Sequence, residues 1–148
     1  MVGMSRRSLR KCVDQAQVVA AIRAAEQVTS GEIRVSVAPF FWGDVEKTAG
    51  KAFRRLGMEH TADRNGVLIF LVPSRRRFAI LGDTGIHEKV GQAFWNDVSA
   101  CLSSHFRRGA FTEGLVEGIR MVGESLATHF PSAGEADRNE LPEDVDFQ

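Results

Sequence analysis

VLIFLVPSRRRFAILG, residues 67–82, decides the fold. Its first six residues are apolar without a break. A strand exposed on one face alternates apolar and polar residues, so an unbroken run of this length predicts a central strand covered on both faces. PSRR (73–76) supplies proline and charge for a turn, and FAILG (78–82) resumes an extended pattern. With so few residues between them, the two strands can pair only as an antiparallel hairpin.

Working outward, TSGEIRV (29–35) begins a further strand, about Glu32–Ala38, which Pro39 ends. Between it and the central run lies an amphipathic stretch, about Val45–Leu56, with Asp44 in position to cap it and Gly57 to close it. Strand, helix and strand joined this way form a crossover with parallel strands. A helix over about Leu9–Val28 precedes this unit, with Val13, Val18, Ala21, Ile22 and Ala25 as its apolar stripe. Helices over 93–106 and about Phe111–Phe130 follow the hairpin, and Thr112 is an alternative cap for the second. GDTGIHEKVG (82–91) reads as a glycine-punctuated loop with one helical turn. The expected order is α-β-α-β-β-α-α. The class is α/β: a small mixed sheet, made of a parallel β-α-β unit plus an antiparallel hairpin and packed by helices in two or three layers. One domain spans 1–131, and 132–148 is an acidic tail.

Composition narrows the function classes. The chain has 148 residues, 43% apolar and 26% charged, which suits a globular domain with a substantial core. Lys+Arg and Asp+Glu both total 19, so there is no cationic excess of the kind that displaces counterions from nucleic acid. The charge is unevenly distributed. Arg6, Arg7, Arg10 and Lys11 begin the chain, whereas 135–148 holds six acidic residues against Arg138. In that segment Leu141, Val145 and Phe147 alternate with acids, a pattern able to dock on the domain or on a protein partner. No secretory signal or membrane-spanning run is visible, so the expectation is a soluble cytoplasmic protein. Cys12 and Cys101 have no metal or redox spacing. The four histidines form no HExxH, no GxSxG elbow is present, and GDTGIHEKVG lacks the lysine of a phosphate-binding P-loop.

The topology does bring polar residues together. If 32–38 and 66–72 run parallel, both strands begin at one sheet edge, and the hairpin returns residue 82 to it. Glu32, Asp63, Asn65 and Asp83 then cluster there, with Glu88, Asn96 and Asp97 entering from the helix that follows. Oxygen donors in that number suit a hard cation, Ca²⁺ or Mg²⁺, which would offset the mutual repulsion of the carboxylates. The competing reading is structural, since Asp and Asn shape turns and cap helices by bonding nearby backbone. The opposite edge carries FFWGD (40–44) and the basic turn 74–77, where arginines beside aromatics could receive an anionic or planar partner.

Taken together, TSGEIRV, LGMEHTADRNGVLIFLV, FAILGDTGIHEKVG, HFRRGAFTEGL and the ELPEDVDF ending resemble the TPM domain family over roughly residues 12–131. The resemblance is greatest to its stand-alone bacterial members. It implies an α/β/α sandwich, a divalent-cation site and a phosphatase role, which would be metal-assisted if the chain is an enzyme. A non-catalytic interaction or accessory module is the alternative. Many exported relatives carry an aromatic residue in place of Asp83, so a shared catalytic apparatus does not follow from the resemblance.

Overall fold

The computed structural model describes residues 5–132 and 144–148. The elements in chain order are α1 (Arg6–Cys12), α2 (Gln15–Glu26), β1 (Glu32–Val37), α3 (Val45–Arg55), β2 (Gly66–Val72), a 3₁₀ turn (Pro73–Arg75), β3 (Arg77–Gly82), α4 (Thr84–Arg107), α5 (Phe111–His129) and β4 (Asp146–Phe147). They build a four-stranded sheet of order β3-β2-β1-β4.

The unbroken apolar run is the central strand that its pattern predicts. Every residue of β2 is buried, and its side chains divide by parity. Val67, Ile69 and Leu71 join Ile33, Val35 and Val37 beneath α1, α2, α4 and α5. Leu68, Phe70 and Val72 pack against α3 through Val45, Ala49 and Ala52. The result is an α/β/α sandwich. β1 and β2 are parallel, with Glu32 opposite Gly66, and β2 and β3 are antiparallel, with Val67 opposite Gly82.

Three elements differ from the sequence reading. The long first helix is two helices, because Val13 is extended (φ −132°) and Asp14 caps α2 by accepting from the Gln17 amide at 3.2 Å. The 82–91 segment is helical from Thr84, since Asp83 caps it at once. Gly91, at φ 72°, then breaks the helix at a point where an L side chain would be strained. Finally, residues 146–147 of the acidic segment form β4, which pairs in parallel with Ser36 and Val37. Leu141 lies outside the described residues. Thr112 does not cap α5; its hydroxyl instead accepts from the Asp14 amide at 3.0 Å, tying the α1–α2 break to the start of α5.

Candidate functional site

The edge at which β1 and β2 begin is organised around Gly66. Glu32 faces it across the parallel ladder. On its other side the Asp83 amide donates to the Gly66 carbonyl at 2.9 Å. A methyl group at Gly66 would lie 2.8 Å from the Met58 carbonyl oxygen, so glycine permits the turn 58–65 to fold tightly under the strand. Glu32, Asn65 and Asp83 therefore meet at one edge, all buried, at 2%, 1% and 6% exposure.

Their partners differ. Asp83 is fully engaged. Its two carboxylate oxygens accept from Arg64 at 2.6 and 2.7 Å, and one also accepts from the Thr84 amide at 2.8 Å. This two-pronged geometry is the strongest form of the Arg–carboxylate pair. Hydrogen bonding to Asp83, then its charge, raises the already high pKa of Arg64. Arg64 itself takes a left-handed conformation (φ 50°), and its carbonyl receives the Gly85 amide at 2.8 Å. The start of α4 thereby sits directly on the 61–65 turn.

Asn65 is held from two sides. Its backbone amide donates to the Thr61 hydroxyl at 3.1 Å and its side-chain amide to the Ser30 hydroxyl at 3.2 Å. Its side-chain oxygen, wholly buried, has no hydrogen-bond partner among the described residues. A buried carbonyl oxygen without a donor loses its hydration with no return. Beside it the Glu32 amide donates to the Asn65 carbonyl at 3.4 Å. Glu26, at the end of α2, accepts from the Ile33 amide at 2.7 Å.

The remaining candidates do not converge. The Asp63 side chain is exposed, as are Glu88, Asn96 and Asp97. Among the described residues no group of three or more His, Cys, Asp or Glu is placed to hold a metal ion. The donor set expected for a hard cation is thus not assembled around the unpartnered Asn65 oxygen among the described residues. Arg64 already supplies the positive charge that Asp83 requires.

Arg64, Thr61, Ser30 and Glu26 are site residues that sequence reasoning misses. Only Arg64 left a signal: it is a cation flanked by Asp63 and Asn65 in a turn.

Next to Asp83 a shallow cleft of about 250 Å³ is lined by Gly50, Phe53, Arg54, Glu59, Leu81 and Gly82. A larger groove of about 410 Å³ between α2 and α5 is walled by small apolar residues such as Ala21, Ala25 and Ala127. Its polar rim residues, Arg120 and Glu124, are paired with each other, so it offers little to orient a ligand. Burial pushes the thiols of Cys12 and Cys101 up, which leaves neither a ready nucleophile. No helix among the described residues is long and apolar enough to cross a membrane.

At the far edge the Ser74 hydroxyl donates to the Pro39 carbonyl at 3.1 Å, fastening the basic turn to the aromatic loop. Arg75 and Arg77 lie over the Phe41 ring, 5.6 and 5.8 Å from its centroid. Trp42 is 77% exposed, with Phe40 edge-on to it.

A family model described as the TPM domain matches residues 11–125. Among solved structures, the BA42 protein of the psychrophilic bacterium Bizionia argentinensis is 39% identical with a TM-score of 0.82, covering 89% of this chain and 90% of that one. The N-terminal domain of a protein from P.gingivalis shares the fold at TM-score 0.64 and 19% identity, over 88% of this chain and 96% of that one. The N-terminal domain of the cg2496 protein of Corynebacterium glutamicum does so at 0.58 and 22%, over 81% and 74%. No curated protein matches the chain.

Proposed function

The chain belongs to the TPM domain family, and we propose that its polar edge is a divalent-cation site, for Ca²⁺ or Mg²⁺, built on Asn65 and Glu32. The observation that carries this reading is the buried Asn65 side-chain oxygen with no donor among the described residues. A neutral carbonyl oxygen is donor chemistry that hard cations take, and Glu32, buried at the same sheet edge, is the nearest candidate to add a charge. Asp83 joins only when Arg64 moves aside. Arg64 is about half exposed, so its head group has water to move into when a cation takes the carboxylate from it. The guanidinium and the cation therefore compete for one carboxylate.

If such an ion is held, it would polarise a phosphate ester or activate water, the chemistry behind the phosphatase reading. This chain's own residues bind and position in that scheme: Ser30 and Thr61 orient Asn65, and Arg64 gates Asp83.

Amide NMR spectra recorded while Ca²⁺ or Mg²⁺ is added test the site. The expected result is saturable shifts confined to residues near 32, 61–66 and 83, lost in Asn65→Ala and reached at lower cation concentration in Arg64→Ala. Unmoved spectra at about millimolar cation, the weak end of protein calcium sites, would end the proposal. Hydrolysis of generic phosphate esters by the cation-loaded protein then separates a phosphatase from a binding module.

The exposed Trp42 beside the basic turn 74–77 favours a second reading, a non-catalytic module that binds an acidic protein segment. Trp95 is buried, so a change in tryptophan emission on adding polyglutamate would report Trp42. Unchanged emission would sink that reading.

A further inference from the structure

Among the described residues, 144–148 close the β1 edge of the sheet, and the way they are held has the form of a peptide-recognition site. The contact is extended and parallel, with Asp146 opposite Ser36 and Phe147 opposite Val37. The Gln148 amide donates to the Val37 carbonyl at 2.9 Å, and Arg34 donates to the Asp144 carbonyl at 3.4 Å.

Alternate side chains enter different environments, as strand addition requires. Val145 and Phe147 are buried in the core cluster that includes Leu9 and Val13, and the Arg10 guanidinium lies 4.7 Å from the Phe147 ring centroid. On the other face the Asp146 carboxylate accepts from the Ser36 hydroxyl at 2.8 Å and from Arg55 at 2.6 Å. The Gln148 side chain also donates to Ser36, at 2.8 Å. Every position from 145 to 148 is thus read by a pocket, a charge or a hydrogen bond. The paired strand itself is only two residues long. A short strand on a sheet edge is the kind of element that opens without unfolding the rest.

We propose that the β1 edge is a recognition groove for an extended apolar–Asp–aromatic–polar segment of a partner protein, and that residues 144–148 are its resident, displaceable occupant. The partner segment is acidic, because Arg10, Arg34 and Arg55 line the groove. It enters parallel to β1. The proposal does not depend on the cation reading, whose residues lie at the other end of β1.

The test uses the full-length chain with Asp146→Ala and Phe147→Ala together, which releases the resident segment. A synthetic peptide DVDFQ is titrated into this variant and into the unaltered chain, followed by amide NMR. The variant should bind saturably with shifts at Arg10, Ser36, Val37 and Arg55. The unaltered chain should bind at least about tenfold more weakly, because a tethered segment competes at high effective concentration. Peptides DVAFQ and DVDAQ should lose binding to the variant.

Three results would overturn the proposal: a folded variant that ignores the peptide, equal binding by both chains, or a dimer formed by exchanged 144–148 segments, which would make the occupant a second copy. Should the variant fail to fold, hydrogen exchange on the unaltered chain decides. The Gln148 amide should exchange at least about a hundredfold faster than that of Ile69, as local opening predicts. Exchange of both at the same rate would make 144–148 an inseparable part of the core and refute the proposal.

Discussion

A methyl group added to Gly85 and one added to Gly50 have opposite consequences, although both glycines lie in helices. At Gly85 it would stand 2.0 Å from the Asp63 carbonyl oxygen and 2.7 Å from that of Arg64, both backbone atoms. Neither can yield without moving the 61–65 turn. Gly85→Ala should therefore cost about 1–3 kcal/mol, the usual range for overpacking, and should disturb Asn65. At Gly50 the nearest atom is the tip of the Arg54 side chain at 3.9 Å. Gly50→Ala should stabilise α3 by about 0.5–1 kcal/mol through helix propensity alone. Urea unfolding of the two variants checks both signs, and a loss at position 50 would contradict the open environment seen there. The candidate site was partly legible at this scale. Glu32, Asn65 and Asp83 are brought together by topology, which apolar patterning reveals. The partner of Asp83 was not legible, because Arg64 reaches it only through a left-handed backbone that a non-glycine residue seldom adopts. Asp63, one residue earlier, instead faces solvent.

Among the elements, β4 has the most particular electrostatics. Burial pushes the Asp146 carboxyl up. Hydrogen bonds from Arg55 and Ser36, with the charges of Arg55 and Arg34, outweigh burial and leave its pKa below the ordinary value. A carboxyl depressed in the folded state adds stability above its unfolded pKa, about 3.9, and loses it as pH falls through the folded value. The docked segment should therefore hold at neutral pH and release in acid, below about pH 4. Amide shifts of Phe147 and Gln148 followed from pH 6 downward should move toward those of an unpaired chain, and Asp146→Asn should flatten the transition. A release at the same pH in that variant would assign the effect to other carboxylates. The alternation of Val145 and Phe147 with acids is enough to anticipate docking. It does not reveal which edge the segment joins, since two residues carry no register. The α1–α2 break was hidden for a related reason. Val13 continues the apolar stripe, and only the capping geometry of Asp14 interrupts the helix. Asp83 acts similarly at α4, where GDTG reads as a loop until its carboxylate is seen to cap the helix.

At the scale of the whole molecule, the two faces of β2 belong to different helical layers. Ile69 is fully buried on the side of α2, α4 and α5, and Phe70, next in the chain, is fully buried against α3. The strand between them is backbone shared by both layers, hydrogen-bonded on each side to β1 and β3. This much follows from VLIFLV alone, because a run apolar at every position needs cover on both faces. One consequence is that neither layer can lose its packing while the other keeps an intact sheet. Ile69→Ala should cost about 2–5 kcal/mol and Phe70→Ala about 3–5 kcal/mol, by lost burial and the cavity left behind. Both should lower the urea midpoint in a single transition with an unchanged slope. Hydrogen exchange should then show protection falling in α3 and α5 together in each variant. If Phe70→Ala loosened α3 while α2 and α5 kept their protection, the layers would be separate cooperative units, and β2 would be only a floor beneath them.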